Sequence, residues 1–269
     1  MVDTGEDAAP IVCDLDGVVW LAQRPIPGSP EAIARLRAAG HRVLFVTNNS
    51  YLRREDIEAA LERIGVAARG EVLSSAIAAA RLVEVGERAL VVGGPGVVQA
   101  LEAAGVEVVT EPPADAVLVG FDRAFDFEAL SRAAAAVRLG ARLIGTNDDA
   151  TYPTPAGPIP GGGALLAAVA KASGVTPVVA GKPYEPMAAL VSAEVGPLGD
   201  GALMIGDRLE TDGDFARRLD IAFALVRSGV TPGTAVVDPP PMYDAPDLAR
   251  LVDQLVPADR FAGRNRAGD

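Results

Sequence analysis

Cysteine and histidine are almost missing from this chain, with one of each among 269 residues. Cys13 has no partner for an intramolecular disulfide, which points to a reducing cytoplasm. It sits inside an apolar run and reads as a buried, inert thiol. His41 follows a helix-ending glycine and reads as a surface cap, so His-based triads and three-histidine zinc sites drop out. Long apolar runs are also lacking. None reaches the roughly 18 residues of a membrane span, and Ala164–Ala172 is already interrupted by Lys171. The first ten residues are acidic and lack the order of a signal peptide. Basic residues are outnumbered, 24 Lys and Arg against 36 Asp and Glu, a net charge of −12. Such a surface excludes nucleic acid as a partner, because phosphate-backbone binding needs Lys and Arg. Any anionic substrate must be held by a local device.

The chain is 49% apolar and 22% charged, the composition of a globular protein of one large or two modest domains. Apolar β-type runs occur at Ile11–Cys13, Arg42–Val46, Leu90–Val92, Val106–Val109, Ala116–Val119, Arg142–Ile144, Ala202–Ile205 and Ile221–Val226. Stretches of helical spacing separate them. In the first, Ser29 reads as the N-cap, Pro30 as the first helical residue, and Gly40 as the stop. The second, Arg53–Ile64, sets Ile57, Leu61 and Ile64 on one face and closes at Gly65. Apolar strands alternating with helices predict an α/β fold, a doubly wound parallel sheet covered on both faces. Asp238–Pro246 reads as a surface loop before a last helix, and the tail from Phe261 as frayed.

Ligands of open α/β sheets bind beyond the carboxyl ends of the strands. There the sequence places Asp14-Leu15-Asp16-Gly17, Thr47-Asn48-Asn49, Gly181-Lys182-Pro183 and Gly206-Asp207, with Asp212 five residues on. Residues two apart in extended chain project alike, so Asp14 and Asp16 can face one site. Clustered carboxylates need a cation, and hard oxygen donors suit Mg²⁺. One aspartate can form an acyl phosphate while a second moves protons. Thr47, backbone N–H groups and Lys182 would hold the phosphate oxygens.

These residues resemble a known family. DLDGV at 14–18, VTNN at 46–49, GKP at 181–183 and GDRLETD at 206–212 are similar to the four motifs of the haloacid dehalogenase (HAD) superfamily of phosphatases. TNDDATYPTPAGPIPGGGALLAAV at 146–169 resembles the cap-to-core signature of its subfamily IIA, the NagD and para-nitrophenyl phosphatase branch. The resemblance implies a Rossmann-like catalytic core from residues 1–79 and 180–269, and an inserted α/β cap of the C2 type at 80–179. It implies Asp14 as nucleophile and Asp16 as general acid/base. Mg²⁺ would be held by Asp14, the Asp16 carbonyl and Asp207. Phosphate would be held by Thr47, Asn48 and Lys182, with Asp212 in support. Val18–Leu21 would form the flap, and Gly213-Asp214 departs from the usual apolar residue there. The activity implied is hydrolysis of a small phosphomonoester. Glycerol phosphate, phosphoglycolate, nucleotide monophosphates, pyridoxal phosphate and p-nitrophenyl phosphate are the candidates. Relatives pair through the cap, which leaves a homodimer open.

Alternatives stand beside this reading. A phosphomutase shares the aspartate at 16, and a phosphoaccepting signalling module shares an acidic pair and a lysine on a parallel sheet. Gly93–Gly96 lacks dinucleotide-loop spacing and reads as a turn. Gly161–Gly163 offers either helix-terminal amides to an anion or a hinge. Trp20 could stack on substrate or pack in the interior. Asp148, Asp149 and Tyr152, in the loop Asn147–Pro160, are the candidate specificity residues.

Overall fold

A computed structural model describes residues 8–152 and 157–256. The tail from Phe261 and part of the loop Asn147–Pro160 lie outside the described residues. The chain forms two compact units, Met1–Val46 with Ala60–Glu71 and Val195–Asp269, and Thr47–Ala59 with Val72–Glu194. In both the main sheet is parallel, and no described helix is long and apolar enough to cross a membrane.

In the first unit the parallel strands lie in the order Tyr243–Ala245, Ala222–Val226, Leu203–Gly206, Ile11–Cys13, Val43–Thr47. Cys13 faces Ile205 on one side and Phe45 on the other. Ile11–Cys13, Val43–Thr47 and Leu203–Gly206 are buried at every position, as a sheet covered on both faces demands. The chain leaves Ile11–Cys13 toward one side of the sheet and returns on the other. This makes that strand the switch point, where open α/β sheets place their ligands.

Tyr243–Ala245 corrects the loop expected over 238–246. Its half-exposed residues carry no strand pattern, and pairing with Ala222–Val226 makes the strand. Arg227 braces this edge. Its Nε and Nη2 donate to the two carboxylate oxygens of Asp244 at 2.9 and 2.6 Å, and its Nη1 donates to the carbonyls of Pro232 and Ala235. The guanidinium holds the Asp244 carboxyl below the usual carboxylate range.

Helix Ser29–Ala38 starts differently from expectation. Gly28, at φ 80°, is the N-cap, and Ser29 is buried inside the first turn with its hydroxyl donating to the Val19 carbonyl at 2.6 Å. A long-range acceptor has captured the side chain that a local cap would use. Gly40, at φ 95°, ends the helix as expected. His41 is partly buried: its backbone N–H caps the helix by donating to the Leu36 carbonyl at 3.1 Å, while its Nδ1 lies 2.8 Å from the Ala9 carbonyl. The second predicted helix is Arg54–Arg63, with Ile57 and Leu61 buried and Ile64 partly so.

In the second unit five parallel strands run Val178–Val179, Arg142–Gly145, Ala116–Val119, Arg88–Val92, Glu107–Val109. Leu90, Val92, Val117, Val119 and Leu143 share one core with Val137 of helix Phe127–Arg138 and Leu166 and Val169 of helix Gly162–Ser173.

The segment expected as the flap, Val18–Leu21, leads into a hairpin that pairs Trp20–Leu21 with Arg24–Pro25. Its two-residue loop places Ala22 at φ 49° and Gln23 at φ 62°. Tight hairpins favour this geometry because it matches strand twist, but side chains other than Asn and Gly resist it. Replacing Ala22-Gln23 by Asn-Gly should stabilise the protein by about 1 kcal/mol. A urea midpoint that rises at constant m-value would show it.

Candidate active site

Three carboxylates converge in the first unit. Asp14 follows the switch-point strand, Asp207 follows Leu203–Gly206, and Asp212 closes a π-helical turn, Leu209–Gly213. Each offers an oxygen within 4.8 Å of the others, and their exposures are 8%, 2% and 1%. The π turn sends Asp212 back over its own beginning. Its Oδ2 accepts the backbone N–H groups of Asp207 and Arg208, both at 3.1 Å. A Cβ on Gly206 would lie 2.2 Å from that of Asp212, so the turn needs glycine there.

Asp207 is gripped by a segment that sequence reading passed over, Ser228–Thr231. The Val230 N–H donates to Asp207 Oδ2 at 2.6 Å, and the Thr231 hydroxyl donates to the Asp207 carbonyl. A Cβ on Gly229 would stand 2.0 Å from Asp207 Oδ2, and one on Gly17 2.5 Å from it. Two glycines thus let backbone close on both sides of one carboxylate. The signal available in sequence was Gly229 just past the strand Ala222–Val226, but only the tertiary contact gives it meaning.

Asp16 stands apart from the three. The strand ends at Cys13, so extended-chain alternation does not reach it, and a turn over Leu15–Val19 sets its direction. Its Oδ1 accepts the indole N–H of Trp20 at 3.1 Å.

The remaining candidates lie in the second unit. Thr47 ends its strand, 2% exposed, with Oγ1 accepting the Asn49 N–H at 3.0 Å and its O–H proton still to donate. Lys182 is equally buried. Asn48 clamps its peptide group: Oδ1 accepts the Lys182 N–H at 2.8 Å, and Nδ2 donates to the Lys182 carbonyl and to Asp149 Oδ2, each at 3.1 Å. The Asn48 carbonyl takes the Ser75 hydroxyl and the Asn147 amide, both at 2.9 Å. Its side chain is therefore committed to Lys182 and Asp149, which leaves its backbone N–H for a ligand. A Cβ on Gly181 would meet Asn48 Oδ1 at 2.5 Å, so glycine permits this clamp.

The glycines at 161–163 resolve into packing. The N–H groups of Gly161 and Gly163 donate to the carbonyls of Ala150 and Asp149, so those two amides are not aimed at an anion. Cβ atoms there would lie 2.3 Å from the Asp149 oxygen and 2.2 Å from the Asp148 oxygen. The expected specificity residues are already engaged. Asp148 accepts the Tyr184 hydroxyl, and Tyr152 stacks on Phe121 at 5.0 Å between ring centroids.

A family model described as haloacid dehalogenase-like hydrolase matches residues 11–107, and a HAD-hydrolase-like model matches 179–251. Over 237 residues the chain is 38% identical to chronophin of Mus musculus, covering 82% of this chain and 81% of that protein. The chain is a haloacid dehalogenase-like hydrolase. A p-nitrophenyl phosphatase from Archaeoglobus fulgidus superposes with a TM-score of 0.86 at 29% identity, covering 93% of this chain and all of that one. A glycerol phosphate phosphatase from Mycobacterium tuberculosis, crystallised with magnesium, does so at 0.82 and 33% identity, covering 91% and 76%. The hydrolase therefore has the α/β fold of that family, a Rossmann-like core with a cap.

The carboxylate trio fits the cofactor of such hydrolases, Mg²⁺. Two unit charges at such a separation repel by about 3–4 kcal/mol at an effective dielectric of about 20, and a divalent ion with hard oxygen ligands converts that repulsion into binding. Asp14 and Asp207 would hold it, with Asp212 in support. Gly229→Ala should push Asp207 aside and weaken Mg²⁺ binding roughly 10- to 100-fold, the range for lost outer-shell support. Calorimetric titration of the folded variant with Mg²⁺ measures it.

Proposed function

We propose that this HAD phosphatase hydrolyses a small phosphomonoester through an aspartyl-phosphate on Asp14. The buried trio Asp14, Asp207 and Asp212 supports this most strongly, because it offers a divalent cation hard oxygen donors within 4.8 Å of one another. Bound there, Mg²⁺ would supply positive charge that lets an anionic phosphate approach a carboxylate; Asp14, Asp207 and the Asp16 carbonyl would hold it.

In this reading an Asp14 oxygen attacks phosphorus and the ester P–O bond breaks. Asp16 gives its proton to the leaving oxygen, which departs as an alcohol. The Asp16 carboxylate then takes a proton from water as the water oxygen attacks phosphorus. Inorganic phosphate leaves and Asp14 is restored. Thr47 donates its hydroxyl proton to a phosphate oxygen, the Asn48 N–H donates to another, and Lys182 balances the charge. Asn48 serves chiefly by holding Lys182.

The division of labour follows the family resemblance: residues 1–79 and 180–269 as catalytic core, and 80–179 as cap. Glycerol phosphate and p-nitrophenyl phosphate lead the substrate candidates, since relatives of this fold are named for them. Phosphoglycolate and nucleotide monophosphates follow. The acidic charge argues against nucleic acid as partner, and a single, buried cysteine suits a cytoplasmic setting. Pairing through the cap is the oligomer the resemblance suggests.

Phosphate release from a panel of these esters, with and without Mg²⁺, tests the reading. Asp14→Asn should fold normally and release none. Asp16→Asn should lose roughly 10²- to 10⁴-fold, the range for general acid–base catalysis. Full turnover by either variant would remove its assignment. Absence of net phosphate release, with activity restored by a bisphosphate, would favour a mutase.

A further inference from the structure

Trp20 is the single tryptophan of the chain, and it is 3% exposed although its neighbour Leu21 on the same hairpin is 48% exposed. A ring so covered has no face to stack on a substrate. Its indole N–H is a donor only, and a buried donor must find an acceptor. It finds Asp16 Oδ1.

The backbone holds this pair together. Asp16 and Trp20 form an isolated β-bridge, and the Gly17 N–H donates to the Trp20 carbonyl at 2.8 Å. The amides of Val18, Val19 and Trp20 all donate to the Leu15 carbonyl, at 3.3, 2.9 and 3.2 Å. Gly17 takes φ 87°, which suits glycine, and its carbonyl accepts the Ser228 hydroxyl at 2.6 Å. The turn is thus closed by its own amides and anchored from the Ser228 loop.

We propose that Trp20 is a positioning residue for Asp16, holding the carboxyl group in one orientation through the indole hydrogen bond to Oδ1. This rests on Asp16 being the general acid/base. A carboxyl group held in one orientation needs no reorientation between the two half-reactions.

The lone tryptophan makes a clean test. Expression with 3-benzothienylalanine replaces the indole N–H by sulfur and keeps the bicyclic shape; Trp20→Phe is the encoded companion. Hydrogen bonds to charged groups are worth about tenfold or more in an equilibrium. Both forms should lose about tenfold in kcat with KM within about twofold. Introduced into Asp16→Asn, the analogue should cost nothing further. Unchanged kcat in the folded analogue protein, or an equal loss in the Asp16→Asn background, overturns the proposal. If Trp20→Phe fails to fold, the analogue protein decides alone. Should Asp16→Asn itself retain full kcat, the acid/base reading fails instead, which separates the two.

Discussion

Three buried carboxyl groups beyond the ends of two neighbouring strands are the constraint around which the first unit is arranged. Asp14, Asp207 and Asp212 lie too close together to be tolerated as a structural accident. Much of the neighbouring backbone serves to keep them there. The π turn folds Asp212 onto the amides of residues 207 and 208, and the Ser228–Thr231 segment closes on Asp207. These N–H groups orient the Asp212 and Asp207 carboxylates through their partial positive charge.

The same economy extends outward along a chain of contacts. Arg227 fastens the edge strand to the carbonyls of Pro232 and Ala235, and so tethers the far side of the segment that grips Asp207. Ser228, in that segment, holds Gly17, and Gly17 closes the turn that points Asp16 at Trp20. Asp207 and the turn that carries Asp16 are thereby stiffened by one loop. Catalysis by positioned groups rewards such stiffness, because small displacements of a reacting group are costly.

In the second unit the organising residue is Asn48. A primary amide matches a peptide group edge to edge, so one side chain fixes both the N–H and the carbonyl of Lys182 while a second amide hydrogen reaches Asp149. Lys182 therefore enters its buried position from a defined backbone rather than from a flexible loop. Asp148 and Asp149 sit in the same network through Tyr184 and Asn48, which gives them work in holding the loop whatever they do for substrate.

Much of this was legible in sequence. Parallel strands covered on both faces read as unbroken apolar runs, so most of the longer strands were found, though the three-residue Val72–Ser74 was not, and the residues just beyond the strand ends drew attention to Asp14, Thr47, Lys182 and Asp207. Elements without such a pattern were missed. Tyr243–Ala245 is half exposed and is a strand through its partner, while Trp20–Pro25 turns on Ala and Gln where Asn and Gly would have announced it. Ser29 looked like a cap because local rules see only local acceptors, and Val19 is ten residues away. Residue types and their order thus determined the fold class and the chemistry available, since both follow from periodicity and from which groups can carry charge. Which oxygen meets which donor was decided only by tertiary structure, because contacts such as Gly229 on Asp207 join residues whose spacing along the chain carries no information about their distance in space.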